Sequence, residues 1–217
     1  MRDTFLYDLD GTLLDTLADL TDAVNAVFGS MGFPAVTKDE ARAALGNGAR
    51  RLIAKLMPEG SNNPRYEETV STFRAYYREH CTVLTKPYPG IEKMLARLSK
   101  RGALQGIVSN KPSPAAIECC ELYFPGYLAI GEKAPLRIKP APDMIHEAVK
   151  QLGSSLERCV YIGDSEVDIE TGKNADIPVI TVSWGFRSRE ELIRAGASII
   201  ADSADELEKI LAGYIGG

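Results

Sequence analysis

From Pro87 onward the sequence alternates in a way that few folds accommodate. Short apolar runs fall at Leu104–Val108, Tyr127–Ile130, Cys159–Ile162, Val179–Val182 and Ser198–Ala201. Between and around them lie stretches with helical spacing, at Gly90–Lys100, from Ser113, at Asp143–Leu152, at Arg189–Ala195 and at Ala204–Ala212. Strands that alternate with helices of 10–15 residues predict a parallel, doubly wound α/β sheet with helices on both faces. One more strand stands apart at the N-terminus. Phe5-Leu6-Tyr7 is apolar and ends in Asp8-Leu9-Asp10-Gly11-Thr12-Leu13. Apolar residues that run directly into charge read as a buried strand opening onto a polar site at its C-terminal edge. In open α/β sheets that edge is where ligands bind.

Between this first strand and the rest lies a block of a different kind. Leu17, Leu20, Val24 and Phe28 recur at helical spacing, as do Leu45, Ala49, Leu52, Ile53 and Leu56. A further helix, carrying Phe73, Tyr76 and Tyr77, is expected over Thr69–His80. No strand is evident from Asp15 to about Cys81. The expected organisation is a Rossmann-like core made of residues 1–14 and 82–217, with an all-helical cap, residues 15–81, inserted after the first strand.

Two aspartates spaced i, i+2 on an extended chain point the same way, so Asp8 and Asp10 can share one small volume. A calcium loop counted from Asp8 would need Gly at its sixth position and Glu at its twelfth, and the chain has Leu13 and Asp19 there. Three more polar clusters stand at or near expected strand ends: Ser109-Asn110-Lys111-Pro112, Lys139-Pro140, and Gly163-Asp164-Ser165-Glu166-Val167-Asp168. Each alone reads as a helix cap or a solvated loop. In this order, on one sheet edge, they point to a common site.

Composition narrows the field. The 217 residues suffice for one large domain or a core with a smaller companion, and the net charge is −5. Lysine and arginine are scattered, which gives no footprint for nucleic acid. No apolar run approaches the roughly 20 residues that span a bilayer. Cys81, Cys119, Cys120 and Cys159 form no Cys-x-x-Cys pair and read as reduced thiols. With the first motif so near Met1, a cytoplasmic location is expected. Oligomeric state is not legible.

Taken together, these residues resemble the haloacid dehalogenase superfamily of aspartate-nucleophile phosphatases. The resemblance rests on Asp8-Leu9-Asp10-Gly11-Thr12, Ser109-Asn110-Lys111, Lys139-Pro140 and Gly163-Asp164-Ser165-x-x-Asp168, and it spans nearly the whole chain. Within the superfamily the sequence looks most like phosphoglycolate phosphatases, through Gly46-Asn47-Gly48-Ala49, Pro87-Tyr88-Pro89-Gly90 and Trp184-Gly185-Phe186-Arg187. Asp176 stands where such relatives carry glycine at a helix end.

The resemblance implies a Mg²⁺-dependent phosphomonoesterase acting on a small phosphorylated metabolite. Asp8 would be the nucleophile, forming an aspartyl-phosphate, and Asp10 the general acid and base. Asp8 and Asp164 would bind Mg²⁺ through carboxylates and Asp10 through its backbone carbonyl, with Asp168 orienting them from behind. Thr12, Ser109, the Asn110 backbone N–H and Lys139 would hold the phosphoryl group, with Lys139 offsetting the charge of Asp8. The cap would act as a lid. Gly46, Asn47 and Gly48 let backbone approach a substrate closely, and Arg50 is a candidate partner for a substrate carboxylate. Pyrophosphatase, nucleotidase, sugar-phosphate phosphatase and β-phosphoglucomutase-like mutase activities share the same core chemistry. A dehalogenase needs no acid such as Asp10, and a phospho-accepting signalling domain would lack the helical insert. His80 and His146 read as ordinary helical residues, and Trp184, Phe186 and Arg187, which follow the strand Val179–Val182, as packing or folding markers near the rim of the site.

Overall fold

The computed structural model describes residues 2–215. Its core is a six-stranded sheet of β1 (Thr4–Tyr7), β4 (Leu104–Pro112), β5 (Leu128–Glu132), β6 (Cys159–Gly163), β7 (Val179–Val182) and β8 (Ile200–Ala201). The strand order is β5-β4-β1-β6-β7-β8, and every pairing is parallel. The connections include α5 (Ile91–Lys100), α6 (Ser113–Tyr123), α7 (Asp143–Gln151), α8 (Glu166–Asn174) and α9 (Arg189–Arg194), and α10 (Ala204–Ile215) follows β8. The expected α/β sheet is therefore present. β1 is buried along its whole length, as the central strand of a sheet covered on both faces must be.

Strand order reverses around β1. β4 and β5 lie to one side of it, and β6, β7 and β8 to the other. Tyr7 is in register with both Ile107 and Ile162. Asp8, Ser109 and Asp164, one or two residues further on, consequently leave the sheet at the same edge, at the switch point where such folds bind ligands.

The chain departs from the core through β2 (Leu14–Asp15) and returns through β3 (Lys86–Pro87), which pair antiparallel. This two-stranded stem is a departure from the sequence reading, which placed no strand here. Two-residue strands carry too little periodicity to detect. Between the strands lie α1 (Leu17–Met31), α2 (Lys38–Ala44), α3 (Gly48–Leu56) and α4 (Tyr66–His80). Helix α2 is also additional to the expected helices. Its signal was present in Thr37-Lys38-Asp39-Glu40. The Thr37 hydroxyl accepts from the Glu40 N–H, and the Glu40 carboxylate accepts from the Thr37 N–H. Helix α1 packs on α2 and α4, α3 packs on α2 and α4, and α3 also meets β4. The helical block thus sits over the edge of the sheet where Asp8 emerges. No helix among the described residues is long and apolar enough to cross a membrane.

Asp19 pins the stem. Its carboxylate is buried and accepts from the backbone N–H groups of Leu84 (2.8 Å) and Thr85 (2.9 Å), binding the returning strand to the first turn of α1. Asp19→Ala leaves both donors without their acceptor, that of Thr85 in a buried position. Its expected cost is about 2–3 kcal/mol of unfolding free energy, read as a lowered urea midpoint with an unchanged m-value.

Candidate active site

Asp8 follows β1 directly, and its backbone N–H still donates to the Ile162 carbonyl at 2.8 Å. Its carboxylate accepts from the Leu9 N–H at 2.7 Å and pairs with the Lys139 ammonium at 2.9 Å. Lys139 is almost wholly buried. Its Nζ also reaches Asp168 Oδ1 and the Tyr161 hydroxyl, both at 2.8 Å. Burial pulls the ammonium towards neutrality, but the charges of Asp168 and Asp8 outweigh it and hold the group above the usual lysine range. Asp8 answers to the opposite balance. Burial, aided by the repulsion of Asp168 and against the attraction of Lys139, pushes its carboxyl up to about 7.

Asp168 is fully engaged. Its Oδ1 accepts from Lys139 and Tyr161, and its Oδ2 from the Asp164 N–H, the Ser165 N–H and the Ser165 hydroxyl. A carboxylate offers about four lone-pair sites, so Asp168 is committed to holding Lys139 and the first turn of α8. Asp164 sits in a tight cradle. Its Oδ2 accepts from the Phe186 N–H at 2.7 Å, and its Oδ1 from the Thr12 hydroxyl at 3.2 Å. A Cβ at Gly11 would lie 2.4 Å from Asp164 Oδ2, and one at Gly185 would lie 2.3 Å from Asp164 Cβ. Gly11 also has φ +88°, where glycine is favoured. Burial first, then the charges of Asp168 and Asp8, push the Asp164 carboxyl well above its usual range.

Carboxylate oxygens of Asp8, Asp164 and Asp168 lie within 4.8 Å of one another. Three buried carboxylates face one buried ammonium, an excess of negative charge that a divalent cation would relieve. The donor set is all oxygen, as a hard cation requires. With the oxygens of Asp168 occupied, Asp8 and Asp164 are the side chains free to hold it.

Above these residues is a small cavity. Asp8, Asp10, Ser109, Asn110 and Lys111 form its polar side, while Leu20, Leu45, Ala49, Leu52 and Phe73 line the side contributed by the inserted helices. Ser109 is buried, and its Oγ accepts from the Lys111 N–H at 3.3 Å. The Asn110 side chain is a brace. It accepts from the Lys139 N–H (2.8 Å) and donates to the carbonyls of Lys139 (3.0 Å) and Gly46 (3.2 Å). Gly46, with φ +104°, and Gly48 line the cavity, and a Cβ on Gly48 would approach the Asn110 carbonyl to 3.4 Å.

Three expected residues lie elsewhere. Thr12 is fully buried and turns its hydroxyl to Asp164, so it supports a carboxylate and does not line the cavity. Asn47, the residue that precedes α3, accepts from Arg51 of that helix at 2.7 Å. Arg50 pairs with Glu67 on the outer surface of the helical block, where half of its side chain is exposed, and its guanidinium covers the Tyr66 ring. The carboxylate of Glu67 on α4 satisfies this arginine locally, a pairing that helical periodicity around residue 50 cannot reveal.

Other residues carry more than the sequence indicated. Lys111, quoted only as part of a motif, has a buried ammonium that donates to Asp10 Oδ1 at 2.8 Å and to the Tyr77 hydroxyl. The Trp184 indole N–H donates to the Thr12 carbonyl at 3.0 Å. Arg187 pairs with Glu166 and donates to the carbonyls of Arg42 and Leu45 at the end of α2. The segment expected to mark packing near the rim thus wraps the Asp164 cradle and grips the helical block. A glycine between Trp184 and Phe186, immediately after a strand, was the available signal. His80 and His146 do not line the cavity.

The sequence matches the haloacid dehalogenase-like hydrolase family model over residues 5–182. It is 34% identical to N-acetylmuramic acid 6-phosphate phosphatase of Pseudomonas aeruginosa, covering 95% of this chain and 93% of that one. It is 32% identical to phosphoglycolate phosphatase of Aquifex aeolicus, covering 83% and 84% respectively. A crystal structure from Lactobacillus delbrueckii subsp. bulgaricus superposes with a TM-score of 0.92 at 36% identity, covering 97% of this chain and 99% of that one. The chain belongs to the haloacid dehalogenase-like hydrolase family and stands there beside its phosphatases.

Proposed function

We propose that the chain is a Mg²⁺-dependent phosphomonoesterase working through a phosphorylated Asp8, with a small phosphorylated carboxylic acid, first of all 2-phosphoglycolate, as substrate. The observation that carries this reading is the Asp8–Lys139 pair at 2.9 Å, beside a cavity that Asp10 also lines. A nucleophile and an acid–base group then face the same volume. Asp8 and Asp164 would hold Mg²⁺ by their carboxylates and Asp10 by its carbonyl. When bound, the cation offsets the negative charge of a phosphate meeting an anionic nucleophile.

In the first step an oxygen of Asp8 attacks phosphorus and the bond to the ester oxygen breaks. Asp10 gives its proton to the departing alkoxide. In the second step Asp10 takes a proton from water, whose oxygen attacks the same phosphorus. Asp8 returns as a carboxylate and inorganic phosphate leaves. Ser109 and the Asn110 N–H would hold the phosphoryl oxygens, where charge is spread in the transition state, and Lys139, whose three donors go to Asp8, Asp168 and Tyr161, would offset the charge of the nucleophile. Residues 15–81 would act as a cap domain over a core of 1–14 and 82–217. Leucine and phenylalanine on its inner side would keep water from the first step.

The identity of the acid rests on the cavity and the relatives. Among the described residues, Lys111 is the cation that lines the cavity, and the helical side offers mainly apolar groups. Such a site suits a short acid with few hydroxyl groups to satisfy. N-acetylmuramic acid 6-phosphate is the second reading, favoured by the relative of that name, whose match spans 95% of this chain. It too is a primary phosphate ester bearing a carboxylate.

With Mg²⁺ present, kcat/KM for 2-phosphoglycolate is expected to exceed that for hexose phosphates, nucleoside monophosphates and pyrophosphate by about 100-fold. That corresponds to some 2.7 kcal/mol of differential transition-state binding. N-acetylmuramic acid 6-phosphate belongs in the same panel, and its dominance would replace the first reading with the second. Dependence on glucose 1,6-bisphosphate would point to a mutase.

Asp8→Asn is expected to abolish turnover with the fold intact. It also has a pH signature. Unfolded, Asp8 ionises near 3.8, whereas in the fold it does so near 7. Between these values the native state holds a proton that the unfolded chain has lost, so this group's contribution to stability falls as pH rises from about 4 to 7. Asparagine does not titrate. In EDTA, the Tm of Asp8→Asn relative to the parent should therefore rise by several degrees between pH 4.5 and pH 8.

A further inference from the structure

The Lys111 ammonium joins three separate elements. It extends from the end of β4 to Asp10 Oδ1, beyond β1, and to the hydroxyl of Tyr77 on α4. Lys111 and Tyr77 are almost wholly buried, whereas the Asp10 side chain keeps 19% of its surface exposed. The Tyr77 ring is fixed by stacking on Phe73, with centroids 5.5 Å apart and planes within 8°. A buried ion pair adds little net stability over an apolar replacement of similar shape, because both charges must be desolvated. Nor does the Asp8–Lys139 pair need Lys111, which makes no bond to either residue. The arrangement does fix one thing. It leaves Asp10 with Oδ1 held and Oδ2 without a hydrogen-bond partner among the described residues, beside the cavity.

We propose that Lys111 and Tyr77 are positioning residues for Asp10, holding its carboxyl group so that the second oxygen meets the leaving-group oxygen of the substrate. This rests on the reading of Asp10 as the acid of the first step. Lys111 supplies the bond, and Tyr77 supplies the place from which Lys111 makes it. Because Tyr77 belongs to the inserted helices, the alignment of Asp10 depends on α4 lying against the core. An ammonium has three donors. Asp10 and Tyr77 take two, and the third remains for the cavity that Lys111 lines.

The test is leaving-group dependence. Ethyl phosphate expels a strongly basic alkoxide and needs the acid, whereas 4-nitrophenyl phosphate expels a weakly basic phenolate and needs it little. The readout is the ratio of kcat/KM for the ethyl ester to that for the aryl ester, which reports the first irreversible step. Neither probe carries a carboxylate, so the ratio is insensitive to loss of an anion-binding cation. Asp10→Asn sets the scale, with an expected fall in the ratio of about 1000-fold, within the range of general acid catalysis. Lys111→Met should lower the ratio by about 100-fold and Tyr77→Phe by about 10-fold.

Tyr77→Phe keeps the ring stack and removes only the hydroxyl, so it decides the matter should Lys111→Met fail to fold. An unchanged ratio in Tyr77→Phe and in a folded Lys111→Met, with both esters slowed alike or not at all, would overturn the proposal. An unchanged ratio in Asp10→Asn would instead overturn the acid assignment beneath it.

Discussion

Bringing Asp8, Asp164 and Asp168 within 4.8 Å of one another out of water is a costly arrangement, and the rest of the site depends on how the chain meets that cost. Lys139 is the main answer. It is buried between Asp8 and Asp168, and its position is fixed from several directions. Asn110 holds its backbone on both sides, Tyr161 donates to Asp168 and accepts from the ammonium, and the first turn of α8 closes around Asp168. Glycines at 11, 163 and 185 leave room for the carboxylates where any side chain would collide with Asp164 or Asp168. The remaining charge excess raises the Asp8 and Asp164 carboxyl groups. An electrostatic deficit of this kind makes a site bind a cation while leaving the unliganded protein less stable than it could be.

The helical insertion is tied to this charge system by directed polar bonds. Asn110 donates to Gly46, Arg187 to the carbonyls that close α2, Lys111 to Tyr77, and Arg74 on α4 pairs with Glu132 at the end of β5 at 2.5 Å. Three of these four bonds end on a residue that lines the cavity, and the fourth spans the same seam. The same contacts that seat the helices therefore also orient the site. Displacing the helices would break bonds that are replaceable by water, while the parallel sheet beneath would keep its own ladder.

The sheet was legible because each strand is bounded by helices of matching length and because β1 runs from apolar residues into charge without a turn. The gathering of Asp8, Asp10, Ser109, Asn110 and Asp164 was legible because register places strand ends together, while Lys139, in the loop before α7, and Asp168, in the first turn of α8, were marked by their motifs. What escaped the sequence obeys a different rule. The β2–β3 stem is too short to show a period. Lys111 and Tyr77 meet across residues distant in the chain, and nothing local distinguishes a lysine that will be buried beside an aspartate. Thr12 was assigned to phosphate by position, yet its side chain serves Asp164, and the Asn110 side chain braces the Lys139 backbone, a role its motif did not announce. A motif marks a residue as needed at a place but does not say which atom is used.

Arg50 shows why selectivity is harder to read than chemistry. Its charge and its neighbourhood to Gly48 suggested a substrate contact, but a helix presents residues to two sides, and Glu67 on the adjacent helix draws the guanidinium outwards. On the cavity side the insertion then offers Leu45, Leu52 and Phe73, which reject by shape and not by charge. A hydrophobic pocket discriminates weakly between compounds that differ by a methylene or by one added hydroxyl, whereas a site built to bond a substrate hydroxyl strongly rejects the analogue that lacks it. The core therefore dictates that a phosphate is attacked. In the reading proposed above, selection among phosphate esters then falls to the few polar groups beside the apolar inner side, Lys111 foremost.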